Sequence, residues 1–406
     1  MEYKNDKGEF ISFINAGLDD KENNHIDVCL ERVTKPVTEK FLNDRAELYR
    51  ADVDNDSELM KAFRKLAFIC NEKEQECHKC PVSKYCNTYI ENTRKNVNDD
   101  SLKMIDLFCG AGGLSLGFTQ EGFVTNLAND IQDCCVDTYA HNHPETPRDH
   151  IVLGDIKDVV KNLDELLAGR SVDIVVGGPP CQGFSMANRQ RLIDDPRNHL
   201  YKSYVEVVKK VHPKFFVMEN VKGMLSVAEQ VKEDFCAIGY SVECHILNAK
   251  NFGVPQNRER LIYIGNCLGI DNEQIFNEIF ALSENIPEHN LGDALFALRE
   301  LEASRVKNAT ESGSVESGYK IEKNNSIEIN NYISYINQNR TINVVLNHKA
   351  RYNNDRDIEI YGRMEPGDRS DDPKIADIMP YARRNDIFKD KYFKLENDKV
   401  CKTITA

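Results

Sequence analysis

No stretch of 18 consecutive apolar residues occurs in the sequence, so no segment has the length that a bilayer-crossing helix needs. The first residues, MEYKNDKGEF, lack the basic, apolar and small-residue succession of a secretory signal. Together these absences predict a soluble intracellular protein. A disulfide framework is also missing, because the 13 cysteines are odd in number and unevenly spaced. In a reducing compartment they are expected as thiols, metal ligands or catalysts. Nor is there a general excess of positive charge. A net charge of -14 argues against indiscriminate binding to polyanions while leaving room for a local basic groove. The acidity is concentrated upstream of residue 341, an asymmetry compatible with a polyanionic partner toward the C-terminal end.

What is present starts with size. A chain of 406 residues, 41% of them apolar, exceeds one ordinary core and predicts two or three domains. Residues 1–100 read as a helical domain. Ser57 and Glu58 can open a helix whose apolar positions Leu59, Ala62, Phe63, Leu66 and Ala67 share one face. That helix runs into CNEKEQECHKCPVSKYC, which spaces Cys70, Cys77, Cys80 and Cys86 as C-x6-C-x2-C-x5-C. Thiolates this close bind a metal or oxidise. Structural zinc favours two short-spaced pairs, whereas one short pair with long arms suits a [4Fe–4S] cluster. Zinc and no metal remain the alternatives.

After the polar linker NVNDDS (96–101), residues 101–270 read as a doubly wound α/β domain. MIDLFCGAGGLSLGF gives a strand at 104–108, a turn with Gly110, Gly112 and Gly113, then a helix from Leu114. Such a turn lets backbone approach a ligand, and the helix N-terminus offers free N–H groups to an anion. A second strand at 124–128 leads to Asp130, placed to bind ribose hydroxyls. A third at 151–153 leads to Asp155, suited to an adenine amino group. The apolar run at 174–176 then ends in GGPPCQGFS, leaving Cys181 just beyond a strand's carboxyl end, where open α/β sheets carry their chemistry. A lone cysteine is more often a buried structural residue, but two prolines fix the backbone before this one, and it reads as a nucleophile. The loop that follows holds Gln182, Ser185, Arg189, Arg191 and Arg197, suiting a cover over a phosphate backbone or simply a solvated loop.

A strand at 215–218 ends in Glu219-Asn220-Val221, putting a carboxylate one crossover from Cys181. Arg258 and Arg260 precede a strand at 261–264, and residues two apart in an extended segment face one side. Residues 271–340, with ESGSVESG and an Asn-rich stretch, read as linker and irregular structure. Residues 341–406 regain order and are rich in Arg, Lys, Asn and Tyr, which suits phosphate and base-edge contacts.

DLFCGAGG, GGPPCQGFS, ENV and QNRER, in this order, resemble the C5-cytosine DNA methyltransferase family, closely over 104–265 and more loosely over 346–406. The resemblance implies a Rossmann-like fold, S-adenosylmethionine as methyl donor and a flipped-out cytosine in double-stranded DNA as substrate. Phe108, Gly110, Gly112, Gly113, Asp130, Ile131, Asp155, Ile156, Pro180 and Leu200 would then line the donor pocket. Cys181, Glu219, Arg258 and Arg260 would form the cytosine pocket, and Gln182, Ser185, Arg189 and Arg191 are candidates for DNA contact. Asp130 stands where the family usually has Glu. The N-terminal cysteine spacing is similar to the iron–sulfur loop of endonuclease III-type DNA glycosylases, over that loop only. A cytoplasmic, nucleoid-associated location and a cognate restriction–modification system fit the family.

Residues 341–406 would be part of a target-recognition domain. The chain stops at VCKTITA, before the family's ninth and tenth motifs. The resulting expectation is the larger part of a split methyltransferase, or a truncated product, needing a second polypeptide. A transfer-RNA cytosine-5 methyltransferase and a non-catalytic DNA-binding subunit are the alternatives.

Overall fold

The computed structural model of the chain describes residues 101–143, 145–180, 199–307, 313–323, 329–337, 344–380 and 392–404. Cys70, Cys77, Cys80 and Cys86 lie outside these residues, as do Cys181, Gln182, Ser185, Arg189 and Arg191. In chain order the elements begin with β1 (Lys103–Leu107), α1 (Gly113–Gln120), β2 (Val124–Asp130), α2 (Asp133–Asn142) and β3 (Ile151–Leu153). They continue with α3 (Ile156–Lys161), α4 (Leu163–Leu167), β4 (Ile174–Gly177), α5 (His199–Val211), β5 (Phe215–Val221) and α6 (Ala228–Cys236). Next come β6 (Ser241–Asn248), β7 (Gln256–Asn257), β8 (Glu259–Asn266) and α7 (Asn272–Ser283). The described residues form two compact units: those up to Leu247 with Arg260–Ile279, and those of Asn248–Glu259 with Phe280 onward.

The first unit holds a seven-stranded sheet in the order β3-β2-β1-β4-β5-β8-β6. Neighbours from β3 to β5 pair in parallel, and β8 runs antiparallel to β5. The short β1 and β4 are buried at every residue but Lys103, as strands covered on both faces are. Side chains alternate between the two faces. Ile105, Leu107 and Val175 join the larger core with Tyr204, Phe216 and Phe235, whereas Met104, Ile174 and Val176 pack with Leu114 and Phe118 of α1. Phe216 and Phe235 stack with ring centroids 3.9 Å apart. Each such burial stabilises by about 1.5–3 kcal/mol. The Tyr204 hydroxyl reaches the carbonyls of Val175 (2.8 Å) and Val217 (3.0 Å), so α5 is pinned across β4 and β5.

In the second unit β7 pairs in parallel with β11 (Cys401–Lys402), matching Gln256 with Cys401. Between them come α8 (Leu291–Leu295), β9 (Ile321–Lys323), α9 (Asn331–Ile336), β10 (Val344–Leu346) and α10 (Asp355–Arg363), with β9 and β10 antiparallel. Its core gathers Ile360, Met364, Ile375, Met379 and Tyr392. Here the sequence reading needs correcting. The stretch 271–340, read as linker and irregular structure, carries α7, α8, β9 and α9. Within the Asn-rich stretch Asn330 is a helix cap accepting the Ile333 N–H, and upstream Asn290 likewise accepts the Asp293 N–H while the Asp293 side chain returns the bond. The second unit is not confined to residues from 341 on either, because Asn248–Glu259 and the residues from Phe280 belong to it. No helix among the described residues is long and apolar enough to cross a membrane.

Candidate active site

From β1 the chain winds outward through β2 and β3, then returns to place β4 on the other side of β1. Connections therefore leave the carboxyl ends of β1 and β4 in opposite directions, opening the crevice in which such sheets bind ligands. At the β1 end the backbone turns through left-handed conformations at Phe108 (φ 57°), Gly110 (φ 53°) and Gly112 (φ 86°). Phe108 is not glycine, and holding it there costs about 1–2 kcal/mol. The turn is tied down by its neighbours. Cys109 donates to the Asn129 carbonyl (3.0 Å), and the Asp130 carboxylate accepts from the N–H groups of Gly110 (3.0 Å) and Gln132 (2.9 Å).

Asp155 caps α3, accepting the Lys157 N–H at 2.9 Å. Ile131 and Leu153 are 65% and 53% exposed at this edge, a strongly apolar surface for solvent to meet, while Ile156 is buried. Pro180 is exposed, and Leu200 is half-buried against the main core. Sequence reasoning missed Asn129. Its buried amide donates to the carbonyls of Val152 and Gly154, both at 3.0 Å, and so aligns the ends of β2 and β3.

Beneath the glycine turn lies a polar network that the sequence reading also missed. Asp106, 1% exposed, accepts from Ser115 of α1, whose hydroxyl meets the Tyr139 phenol at 2.8 Å. Among the described residues Asp106 Oδ1 has no hydrogen-bond partner. Burial pushes the Asp106 carboxyl up to about 7 despite the bond from Ser115. The one signal in the sequence was an acid set between the apolar residues Ile105 and Leu107 of KMIDL.

At the β4 end, Glu219 and Arg260 meet as diagonal partners across β5 and β8, with Arg260 Nε 2.8 Å from Glu219 Oε1. Both are partly shielded from solvent, 30% and 20% exposed, so salt screens their attraction less than that of a fully exposed pair. A Cβ at Gly178 would come 3.1 Å from Glu219 Oε2, which puts the carboxylate against the backbone just before Pro179-Pro180. At Gly177 a Cβ would come 2.4 Å from the Leu107 carbonyl oxygen. The two glycines of the GGPP motif thus answer two different neighbours. Asn220, 3% exposed, donates to the Pro179 carbonyl at 3.0 Å and fixes the chain where it leaves for residue 181. Arg258 belongs to the second unit, where its N–H donates to Asn248 Oδ1 (3.1 Å) and its carbonyl accepts from Ala249 (3.0 Å). Of the expected pocket residues, the first unit brings Glu219 and Arg260 together.

The sequence model of the family described as C-5 cytosine-specific DNA methylase matches residues 102–403. The chain is 44% identical over 213 residues to the Type II methyltransferase M1.HphI of Haemophilus parahaemolyticus, covering 50% of this chain and 54% of that protein. It is 40% identical over 184 residues to the Type II methyltransferase M.AquIA of Picosynechococcus sp., covering 41% of this chain and 73% of that protein. The chain spans about half the length of most of the curated relatives it matches. A solved structure described as a DNA modification methyltransferase encoded within an E. coli prophage covers 75% of this chain and 82% of its own, with a TM-score of 0.54. At 22% identity that likeness is one of fold.

Proposed function

Because the chain belongs to the C-5 cytosine-specific DNA methylase family, we propose that it transfers a methyl group to C5 of a cytosine flipped out of duplex DNA. The observation that carries this reading is the Glu219–Arg260 pair, set against Gly178 where β4 hands the chain on toward Cys181. Cytosine C5 is a weak nucleophile because the ring electrons are delocalised. Addition of the Cys181 thiolate to C6 turns the ring into an enamine whose C5 is nucleophilic. Negative charge built on the ring is offset by Glu219, holding a proton at N3, and by Arg260 at O2. Arg258 would orient the site. Loss of the C5 proton and departure of the Cys181 sulfur restore the aromatic ring. Since C6 is inaccessible in a stacked duplex, the base must be extruded at a cost of a few kcal/mol, and Gln182, Ser185, Arg189 and Arg191 are the groups proposed to close behind it.

The edge at β1, β2 and β3 fits S-adenosylmethionine. The carboxylates of Asp130 and Asp155 have more lone pairs than the N–H groups they accept, and Ile131 offers apolar surface beside them. Phe108, Gly110, Gly112, Gly113, Asp130, Ile131, Asp155, Ile156, Pro180 and Leu200 would hold it. When bound, it supplies an electrophilic methyl group. We assign target recognition to the second unit, and to Cys70, Cys77, Cys80 and Cys86 a [4Fe–4S] cluster or zinc, which iron and zinc analysis of the purified protein distinguishes.

The test is a duplex carrying a mechanism-based cytosine analogue. Wild-type protein should form a covalent adduct at Cys181, Cys181→Ser none, and Glu219→Gln should slow methylation by about 100-fold or more. An unreduced rate in Cys181→Ser would refute the reading, and preference for tRNA over duplex DNA in competition would reassign the substrate.

A further inference from the structure

The glycine turn after β1 is held from below by two consecutive residues at the end of α2. Asn142, the last helical residue, donates its side-chain amide to the Ala111 carbonyl at 2.8 Å. His143, which caps the helix, places Nε2 2.9 Å from the Gly112 carbonyl oxygen and Nδ1 3.0 Å from Glu145 Oε1. The imidazole is 1% exposed and stacks on the Tyr139 ring at 4.5 Å. A carbonyl oxygen only accepts, and so does the ionised carboxylate of Glu145, which is 34% exposed. Both ring nitrogens must therefore carry hydrogen for both contacts to be attractive. A neutral ring would satisfy one partner and repel the other.

The second donor is not needed to satisfy Gly112. Its carbonyl already accepts the Leu116 N–H at 2.9 Å, the first bond of α1. What His143 adds is orientation. The fit is mutual, since a Cβ at Gly112 would come 2.3 Å from His143 Nε2, so the ring occupies the space a side chain would need. From these contacts we infer that His143 is a positioning residue for the cofactor, a buried imidazolium that clamps the glycine turn and sets how tightly that turn binds its ligand. This rests on the reading of the turn as the S-adenosylmethionine site.

The titratable groups facing His143 are Glu145 from the segment after α2, Asp106 from β1 and the Tyr139 phenol from α2. Burial pulls the imidazole pKa down, but the bonds to Glu145 and the Gly112 carbonyl and the charges of Glu145 and Asp106 outweigh it. The net shift is upward. A raised histidine pKa stabilises the charged form at low pH, and that contribution is lost as pH rises through the folded-state value. The clamp therefore weakens on the alkaline side.

Two measurements on the full chain test this. In nitrogen-15 spectra of histidine-labelled protein, the signals absent from His143→Gln identify the ring. At pH 7 both of its nitrogens should be protonated, and the proton should leave above the pH of an exposed histidine. Calorimetric titration with S-adenosylhomocysteine should show wild-type affinity falling about tenfold as pH passes that value, the loss of one charge-assisted hydrogen bond. His143→Gln keeps one amide donor but cannot titrate, so it should bind more weakly and lack that fall. The ligand's own amino group titrates against both proteins, so the difference between them is the readout. A neutral His143 at pH 7, or the same fall in His143→Gln, would overturn the inference. Should wild-type protein bind no ligand at any pH, the methyltransferase reading fails, while the ring signals still decide the state of His143.

Discussion

The two units reach order by different physical means. The first is built around β1 and β4, buried on both faces along almost their whole length, with Ile105 and Val175 packed beside Phe216 of β5. The second relies on helices of 5 to 9 residues started by Asn290, Asn330 and Asn354, with Ile360 and Met364 in a small cluster and Leu291, Tyr332 and Ile333 buried apart from it. Hydrophobic burial carries the one, and local capping carries a larger share of the other. Ligand chemistry is proposed for the rigid sheet edge, and recognition for the unit whose elements are short.

Four substitutions would break or sharpen that contrast. The largest effect is expected from Phe216→Ala, which empties the stack with Phe235 and should cost about 3–5 kcal/mol. Met364→Ala in the smaller core should cost about 2–3 kcal/mol. Urea denaturation, with hydrogen exchange reading the amides of each unit, measures both; equal losses would erase the distinction. A smaller effect concerns pH. Burial raises the Asp106 carboxyl from 3.8 to about 7, so the folded state binds more protons than the unfolded one between those values. Stability therefore falls as pH rises through that window. Asp106→Asn should flatten the dependence, raising the melting temperature more at pH 8 than at pH 5; an unchanged slope would show that another group is responsible. The smallest change is Asn354→Ala, which removes the bond to the Asp357 N–H and should cost about 1 kcal/mol. A loss within error would mean that packing rather than capping holds α10.

These differences also decided what the sequence could disclose. The parallel strands were legible because a run such as IVV at 174–176 has nowhere to go but a sheet interior, and β4 runs Ile174–Gly177. The edge strand β6, SVECHILN, was not, because half-buried Glu243 and His245 break its apolar pattern. Composition misled at the asparagines. A residue that favours turns also favours the first position of a helix, and the two uses look alike in a chain. In the site, the family resemblance placed Glu219 and Arg260 in one pocket, but nothing in the sequence announced their ion pair. Buried Asn129, Asn220 and His143 were not legible at all. Each matters through the backbone carbonyls it holds, and no periodicity marks a carbonyl.

One rung of the sheet constrains how this scaffold can vary. At residue 177 even a methyl group would press into the Leu107 carbonyl oxygen, a backbone atom with no rotamer to yield. Random mutation can therefore reshape the surrounding loops freely but must leave this point bare. The spacing of β1 and β4 is set at this contact, and variation in this architecture has to be sought around it.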